Sequence, residues 1–261
     1  MHIHTINKMT DFYKIIADRE ELQKFIDWLP PTKDSEQLYC TLFSRKKYFP
    51  DHPALKSDKT MLSRWTSTKE RLINKIEQKE TKVGTYLGHN DIPVPQEALG
   101  CYITPSPRDF RQVAYKTIQT FAEKLGKDEY VNPRQEVMNI IQTSPIKDKF
   151  HVFDIDSTDE EQMFRLRDML DGRCNIIRTR GGYHFIVNPS ELKDQDVPKD
   201  WYNRMKAVAD VCGDHLIPVP GCFQGGFVPR LIHISPLKQY QISSSKVKQF
   251  DHILEIKMCE S

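Results

Sequence analysis

The sequence predicts an α+β protein in two parts, an N-terminal α/β module over residues 1–145 and a β-α-β-β-α-β module over residues 146–261. Three observations predict it. Strand-like and helix-like runs follow one another in that order through the second half. A glycine pair, Gly181-Gly182, joins two of the strands closely. The helix between the first two strands carries a start signal and a stop signal of its own, with Ser157 and Glu160 in capping-box spacing and Gly172 at its end.

Within the N-terminal module, Phe12, Ile15, Ile16, Leu22, Phe25, Ile26 and Leu29 recur at roughly helical spacing until Pro30-Pro31. "QLYCTLFS" (37–44) reads as a strand that leads into the basic loop "RKKYFPDHP". Residues 57–83 read as a helix presenting Leu62, Trp65, Leu72 and Ile76 on one face. "EALGCYIT" (97–104) is a second strand, and a helix of Phe110, Val113, Ala114, Ile118, Phe121 and Leu125 follows "PSPRD".

In the second module "KFHVFDID" reads as a strand and "STDEEQMFRLRDMLDG" as a helix. "CNIIRTR" and "GYHFIVN" form the hairpin. "PKDWYNRMKAVADVCG" is a second helix, with Trp201, Met205, Val208 and Cys212 on one stripe, and "DHLIPV" is the last strand. This is the ferredoxin-like or RRM-like order. Its antiparallel sheet runs four, one, three, two, with both helices on one face.

Side chains alternate across a strand. Phe153 and Ile155 therefore face the helices, and Asp154 and Asp156 share the other face. On the third strand Tyr183, Phe185 and Val187 go to the core, which puts His184 beside the two acids. Asp214 opens the fourth strand and supplies a third carboxylate. Asp210, four residues upstream, falls on the predicted helix and off the sheet. Crowded carboxylates repel one another. A divalent cation removes that penalty, and hard oxygen donors favour Mg²⁺ or Mn²⁺. Arg178, Arg180 and His184 bracket the Gly-Gly turn and suit a triphosphate. Two metal ions, an attacking hydroxyl and a leaving pyrophosphate together describe nucleotidyl transfer.

These residues resemble the motifs of the archaeo-eukaryotic primase (primase-polymerase) superfamily, found in phages and mobile elements. Asp154 and Asp156 match its acid-x-acid strand, Gly182-Tyr183-His184 its small-x-histidine, and Asp214 its later acid. Pro220-Gly221 followed by Arg230 resembles the turn and basic residues after that acid. Serine is commoner than Gly182 in the second motif, and Cys222 stands where threonine is usual. The resemblance implies a two-lobed primase-polymerase core with Asp154, Asp156 and Asp214 on metal and His184 on the incoming nucleotide's phosphates. Arg178, Arg180 and Arg230 join His184 as nucleotide-binding candidates. A single-stranded nucleic acid template and nucleoside triphosphates are the implied partners. With no helicase domain visible in the sequence, the expectation is a stand-alone core, with a helicase as a candidate replication partner.

Composition describes an ordinary soluble globular protein. Hydrophobic residues at 38% and charged residues at 28% exclude a disordered chain, and a net charge of +2 requires any polyanion site to be a local cluster. One such run is 56–82, with eight Lys and Arg against four Asp and Glu; with "RKK" at 45–47 it is a candidate template track. Tyr48, Trp65 and Tyr183 are candidates for base stacking, and Arg108 for an inter-lobe contact or a phosphate ligand. The six cysteines, Cys40, Cys101, Cys174, Cys212, Cys222 and Cys259, include no CxxC pair. Reduced thiols, with no apolar span or leader, lead to the expectation of a cytoplasmic protein without membrane contact. Cys212, His215, Cys222 and His233 have a spacing loosely like a zinc site, although Cys212 already belongs to a helical stripe. Two rivals share parts of the pattern. One is an RRM-like nucleic-acid-binding protein without catalysis, which would expose aromatics where this chain exposes acids. The other is a different two-metal enzyme, a nuclease or a non-templated nucleotidyltransferase.

Overall fold

The computed structural model describes residues 11–144, 150–192, 197–213 and 216–236. It is an α+β structure with two antiparallel sheets. The first sheet is built on β1 (Glu36–Arg45), flanked by β2 (Lys59–Ser67) and β3 (Leu99–Ile103), with the short β4 (Arg108–Asp109) also on β1. In the second sheet β5 (His151–Ile155) lies between β7 (Tyr183–Val187) and β8 (Val211–Gly213). Beyond β7 come β6 (Asn175–Arg178) and then β10 (Arg230–His233). Between β8 and β10 the chain crosses back, and β9 (Ile217–Pro218) pairs with β3 at the far edge of the first sheet.

Among the described residues six α-helices complete the fold: α1 (Arg19–Trp28), α2 (Leu72–Glu77), α3 (Phe110–Gly126), α4 (Pro133–Thr143), α5 (Glu160–Met169) and α6 (Trp201–Val208). Asp18, Asp109, Asn132 and Asp159 each accept a backbone N–H at a helix start, which satisfies one of the donors that a helix leaves open. No helix among the described residues is long and apolar enough to cross a membrane.

The second sheet is packed on both faces. Phe153, Ile155, Tyr183 and Phe185 meet Met163 and Leu166 of α5 and Met205 of α6. From the opposite face Val152, Ile177, Ile186 and Leu231 join the core of the first sheet, which contains Trp28, Leu38 and Leu42. Polar bonds close the seam. Asn175 Oδ1 accepts from Trp28 Nε1 at 2.9 Å and from the Ser235 N–H at 3.0 Å, while Asn175 Nδ2 donates to Ile186 O. Lys24 Nζ donates to Leu231 O, and the Leu231 N–H donates to Glu21 Oε1.

Several sequence expectations are corrected. Residues 59–67 are a strand, not the first turns of a helix; Thr60, Trp65 and Thr66 suit a pleated surface, and eight residues pair with β1. Only 72–77 of that run is helical. Residues 12–16 are extended, with Phe12 bridging Lys82 and Ile16 bridging Cys222, so the first helix starts at Arg19. The cap of α5 is Asp159, not Ser157, whose hydroxyl accepts from the Asp159 N–H instead. Helix α6 ends at Val208, and the strand beside β5 begins at Val211. The apolar part of "DHLIPV" therefore serves the first sheet. Helix α4 was not foreseen, although Asn132-Pro133 is a recognisable start.

Asn175→Ala should strip the acceptor from Trp28 Nε1 and the Ser235 N–H in a dry seam. Each orphaned donor costs about 1–3 kcal/mol, so denaturant titration should show a lower midpoint. An unchanged midpoint would mean that the seam does not depend on this residue.

Candidate active site

Where the two sheets part, a cleft of about 590 Å³ opens. Val152 lies in the dry seam, Asp154 is two residues further along the same face, and Asp156 follows just past the strand end; both acids line the cleft. The β5–β7 register sets Asp154 opposite His184. His184 Nε2 lies 3.0 Å from Asp154 Oδ1, and His184 is only 7% exposed. Its Nδ1 is buried and has no hydrogen-bond partner among the described residues.

The turn between β6 and β7 comes close to the acids. Thr179 N–H donates to Gly182 O, and Gly182 N–H donates to Thr179 Oγ1. A Cβ on Gly182 would lie 2.0 Å from Ile155 O, so the turn can rest on β5 only with glycine there. A Cβ on Gly181 would sit 3.0 Å from Asp156 Oδ1. Asp156 is held from the other side as well: its N–H donates to Asp210 Oδ2 at 2.8 Å, and the Asp210 N–H donates to Asp154 O. The carboxyl that the sequence reading put on a helix is thus bound to the backbone of the motif, because α6 stops two residues before it.

Arg180 is fixed by several contacts. Its N–H donates to Gln224 Oε1, its Nη1 to Gly225 O at 2.7 Å, and its guanidinium lies over the Tyr48 ring. Gln224 Nε2 and Arg45 Nη1 both donate to Tyr102 Oη, and the Tyr102 and Tyr48 hydroxyls share a hydrogen bond of 2.8 Å. Burial, and then Tyr102, push the Tyr48 hydroxyl far above the usual tyrosine range, so it stays a neutral wall of the cleft. Gly225 sits at φ +59° with its Cα against the Tyr48 ring, a position with no room for a side chain. Lys59 reaches over Phe43 at 4.1 Å; burial, followed by its neighbour Arg45, draws its ammonium below the ordinary lysine value. Lys47 and Arg108 also line the cleft, and Arg108 Nη1 donates to Ser144 O. Five cationic side chains (Arg45, Lys47, Lys59, Arg108, Arg180) thus face two carboxylates. The basic loop and Arg108 were noticed in the sequence, but their place opposite Asp154 needed the packing of the two sheets.

Other candidates lie elsewhere. Arg178 pairs with Tyr183, so alternation sends it to the helix face, where its Nη1 is 3.8 Å from Glu160 of α5. It does not share a face with Arg180, which is already in the turn. Arg230 pairs across from Arg178 on β10 and approaches Asp18 at 3.9 Å; neither arginine lines the cleft. Asp214 and His215 lie outside the described residues. The zinc spacing is not realised: Cys212 packs on the helix-side core of the second sheet, Cys222 is buried in the core of the first, and His233 Nε2 bonds Gly172 O. Among the described residues no group of three or more His, Cys, Asp or Glu is placed to hold a metal ion. Asp154 and Asp156 bring two hard oxygen donors, the type that suits Mg²⁺ or Mn²⁺.

No protein-family model, curated protein or solved structure matches this chain. The reading of the site therefore rests on its own geometry.

Two glycine substitutions should separate support from chemistry. Gly182→Ala must push the turn off β5, an overpacking that costs about 1–3 kcal/mol, and thermal melting should fall. Gly181→Ala meets only the mobile end of the Asp156 side chain, so its melting temperature should stay near the parent's. The reverse order would mean that the turn does not rest on β5.

Proposed function

We propose that the chain is a metal-dependent nucleotidyltransferase of primase-polymerase type, with the second sheet and its helices as an RRM-like catalytic module. What carries the reading is one juxtaposition: Asp154, Asp156 and His184 share a cleft with Arg45, Lys47, Lys59, Arg108 and Arg180. Acids alone would repel a phosphate and cations alone would bind one without chemistry. Both together suit a reaction that brings a polyphosphate to a divalent ion. Strand order also supports the module, since β8, β5, β7 and β6 lie side by side as the fourth, first, third and second strands of the segment.

Asp154 and Asp156 would hold Mg²⁺ or Mn²⁺, with Asp214 as a further donor. The bound ion would supply charge neutralisation at the phosphates and activation of the attacking hydroxyl. The chain's own residues do the rest. Asp154 orients the His184 ring toward the cleft. Arg180, held by Gln224 and Gly225, presents a preorganised cation at the turn. Arg45 and Lys59 offset the triphosphate's charge from the opposite wall, and the Tyr48–Tyr102 pair gives the base and sugar a neutral surface.

The test is incubation with labelled nucleotides, single-stranded DNA or RNA, and Mn²⁺ or Mg²⁺. New or extended strands are expected. Asp154→Asn and Asp156→Asn should each lower incorporation by roughly two to three orders of magnitude, as for loss of a charge-stabilising group, with melting temperature kept. Full activity in either variant would remove the acids from the reaction. A nucleoside triphosphate should also raise the melting temperature only when the metal is present. A response to single strands alone, independent of metal and lost as salt rises, would identify a nucleic-acid-binding protein instead.

A further inference from the structure

Beside the cleft lies a second groove, of about 390 Å³, between the edge strand β2 and the start of α4. Its floor is Met61, Leu62 and Met138, and its cations are Arg64 and Arg134. Arg64 is held in place by neutral partners, with Nη1 donating to Asn139 Oδ1 at 2.8 Å and Nη2 to Gln135 O. Lys79, outside the groove's lining, has its Nζ over the Trp65 ring at 5.0 Å; burial first, then Lys75 and Arg134, draw its ammonium below the ordinary lysine value. Among the described residues none of Arg64, Lys75, Lys79 and Arg134 makes an ion pair with a carboxylate. Two cations in one groove without a carboxylate partner favour the arrival of an anion.

The two grooves adjoin. Lys59 lines the cleft and Met61 lines the groove, and two residues along one strand span roughly 7 Å. Their side chains share a face of β2, where Phe43 pairs opposite Met61 and lies under Lys59 Nζ at 4.1 Å. Cations spaced along a trough with an apolar floor match a strand whose phosphates repeat and whose bases offer flat apolar faces. We infer that this groove holds a stretch of single-stranded nucleic acid leaving the cleft, with Arg64 and Arg134 on its phosphates. The inference rests on the proposed nucleotidyl-transfer reading of the cleft, yet the two can fail separately.

The test compares two labelled single strands by fluorescence anisotropy, one of roughly 4 and one of roughly 16 nucleotides, the range of single-strand site sizes. Arg134→Glu, at an exposed position, and Arg64→Gln should each weaken the longer strand several-fold. The slope of log affinity against log salt should shrink by about 0.7 per lost phosphate contact. Affinity for the shorter strand, and the metal-dependent thermal shift with a nucleoside triphosphate, should stay unchanged. Equal weakening of both strands, or weakening of neither, overturns the inference. So does polyglutamate competing as well as the longer strand at equal charge, which would make the groove an acidic-peptide site. If length-dependent binding responds as expected while the parent incorporates no nucleotide, the groove stands and the proposed reaction falls.

Discussion

The register of β5 is the constraint on which the rest depends. Val152, Asp154 and Asp156 occupy successive positions of one strand face, and that face crosses from a dry seam into an open cleft within five residues. A shift by one residue would bury the carboxylates under α5 and α6 and expose Phe153 and Ile155, at the cost of two large apolar burials and a buried charge. The pairing with β7 locks this arrangement, because the same register that buries Phe153 beside Phe185 sets Asp154 against His184. The register that fixes the core of the second sheet therefore also fixes the geometry of the site.

Around that strand the charges are placed by rigid backbone rather than by long side chains reaching freely. Gly182 lets the turn lie on Ile155 O, Asp210 holds the Asp156 N–H, and Gln224 holds the Arg180 N–H. Tyr102 collects donors from Arg45 and Gln224, and Gln224 in turn accepts from the Arg180 N–H in the turn of the second sheet. Side chains held in this way lose little further entropy when a ligand binds, which favours a charged ligand of defined shape. Counting acids and bases along the chain does not reveal this, since the net charge is nearly neutral while the cleft wall is strongly basic.

Where pattern reading failed, the cause was tertiary pairing. Leu62 and Trp65 have helical spacing with Leu72 and Ile76, but β1 pairs with every residue of 59–67 except Leu62, where the register shifts, and pairing outweighs a weak periodic signal. Arg178 and Arg180 have strand spacing, but the strand ends at Arg178, so only Arg180 turns into the cleft. Asp210 was assigned to a helix because Trp201, Met205, Val208 and Cys212 continue one stripe; in fact Cys212 keeps its place in that core as a strand residue of β8.

By itself the sequence determined what depends on near neighbours. Alternation in "HVFDID" and "GYHFIV" puts the two acids on one face of their strand and the histidine off the core face, the Gly-Gly pair permits the close turn, and the apolar stripes set the core of the second sheet. The opposite wall was decided by tertiary structure alone. Arg45, Lys47, Lys59 and Arg108 come from four places in the first sheet and its loops, and they meet Asp154 only because the two sheets share a seam through Trp28 and Asn175. No local pattern encodes that meeting, because it depends on how two independently patterned surfaces dock. The return of Gln224 and Gly225 to the cleft has the same origin: β9 must cross to the first sheet before the chain can come back to β10.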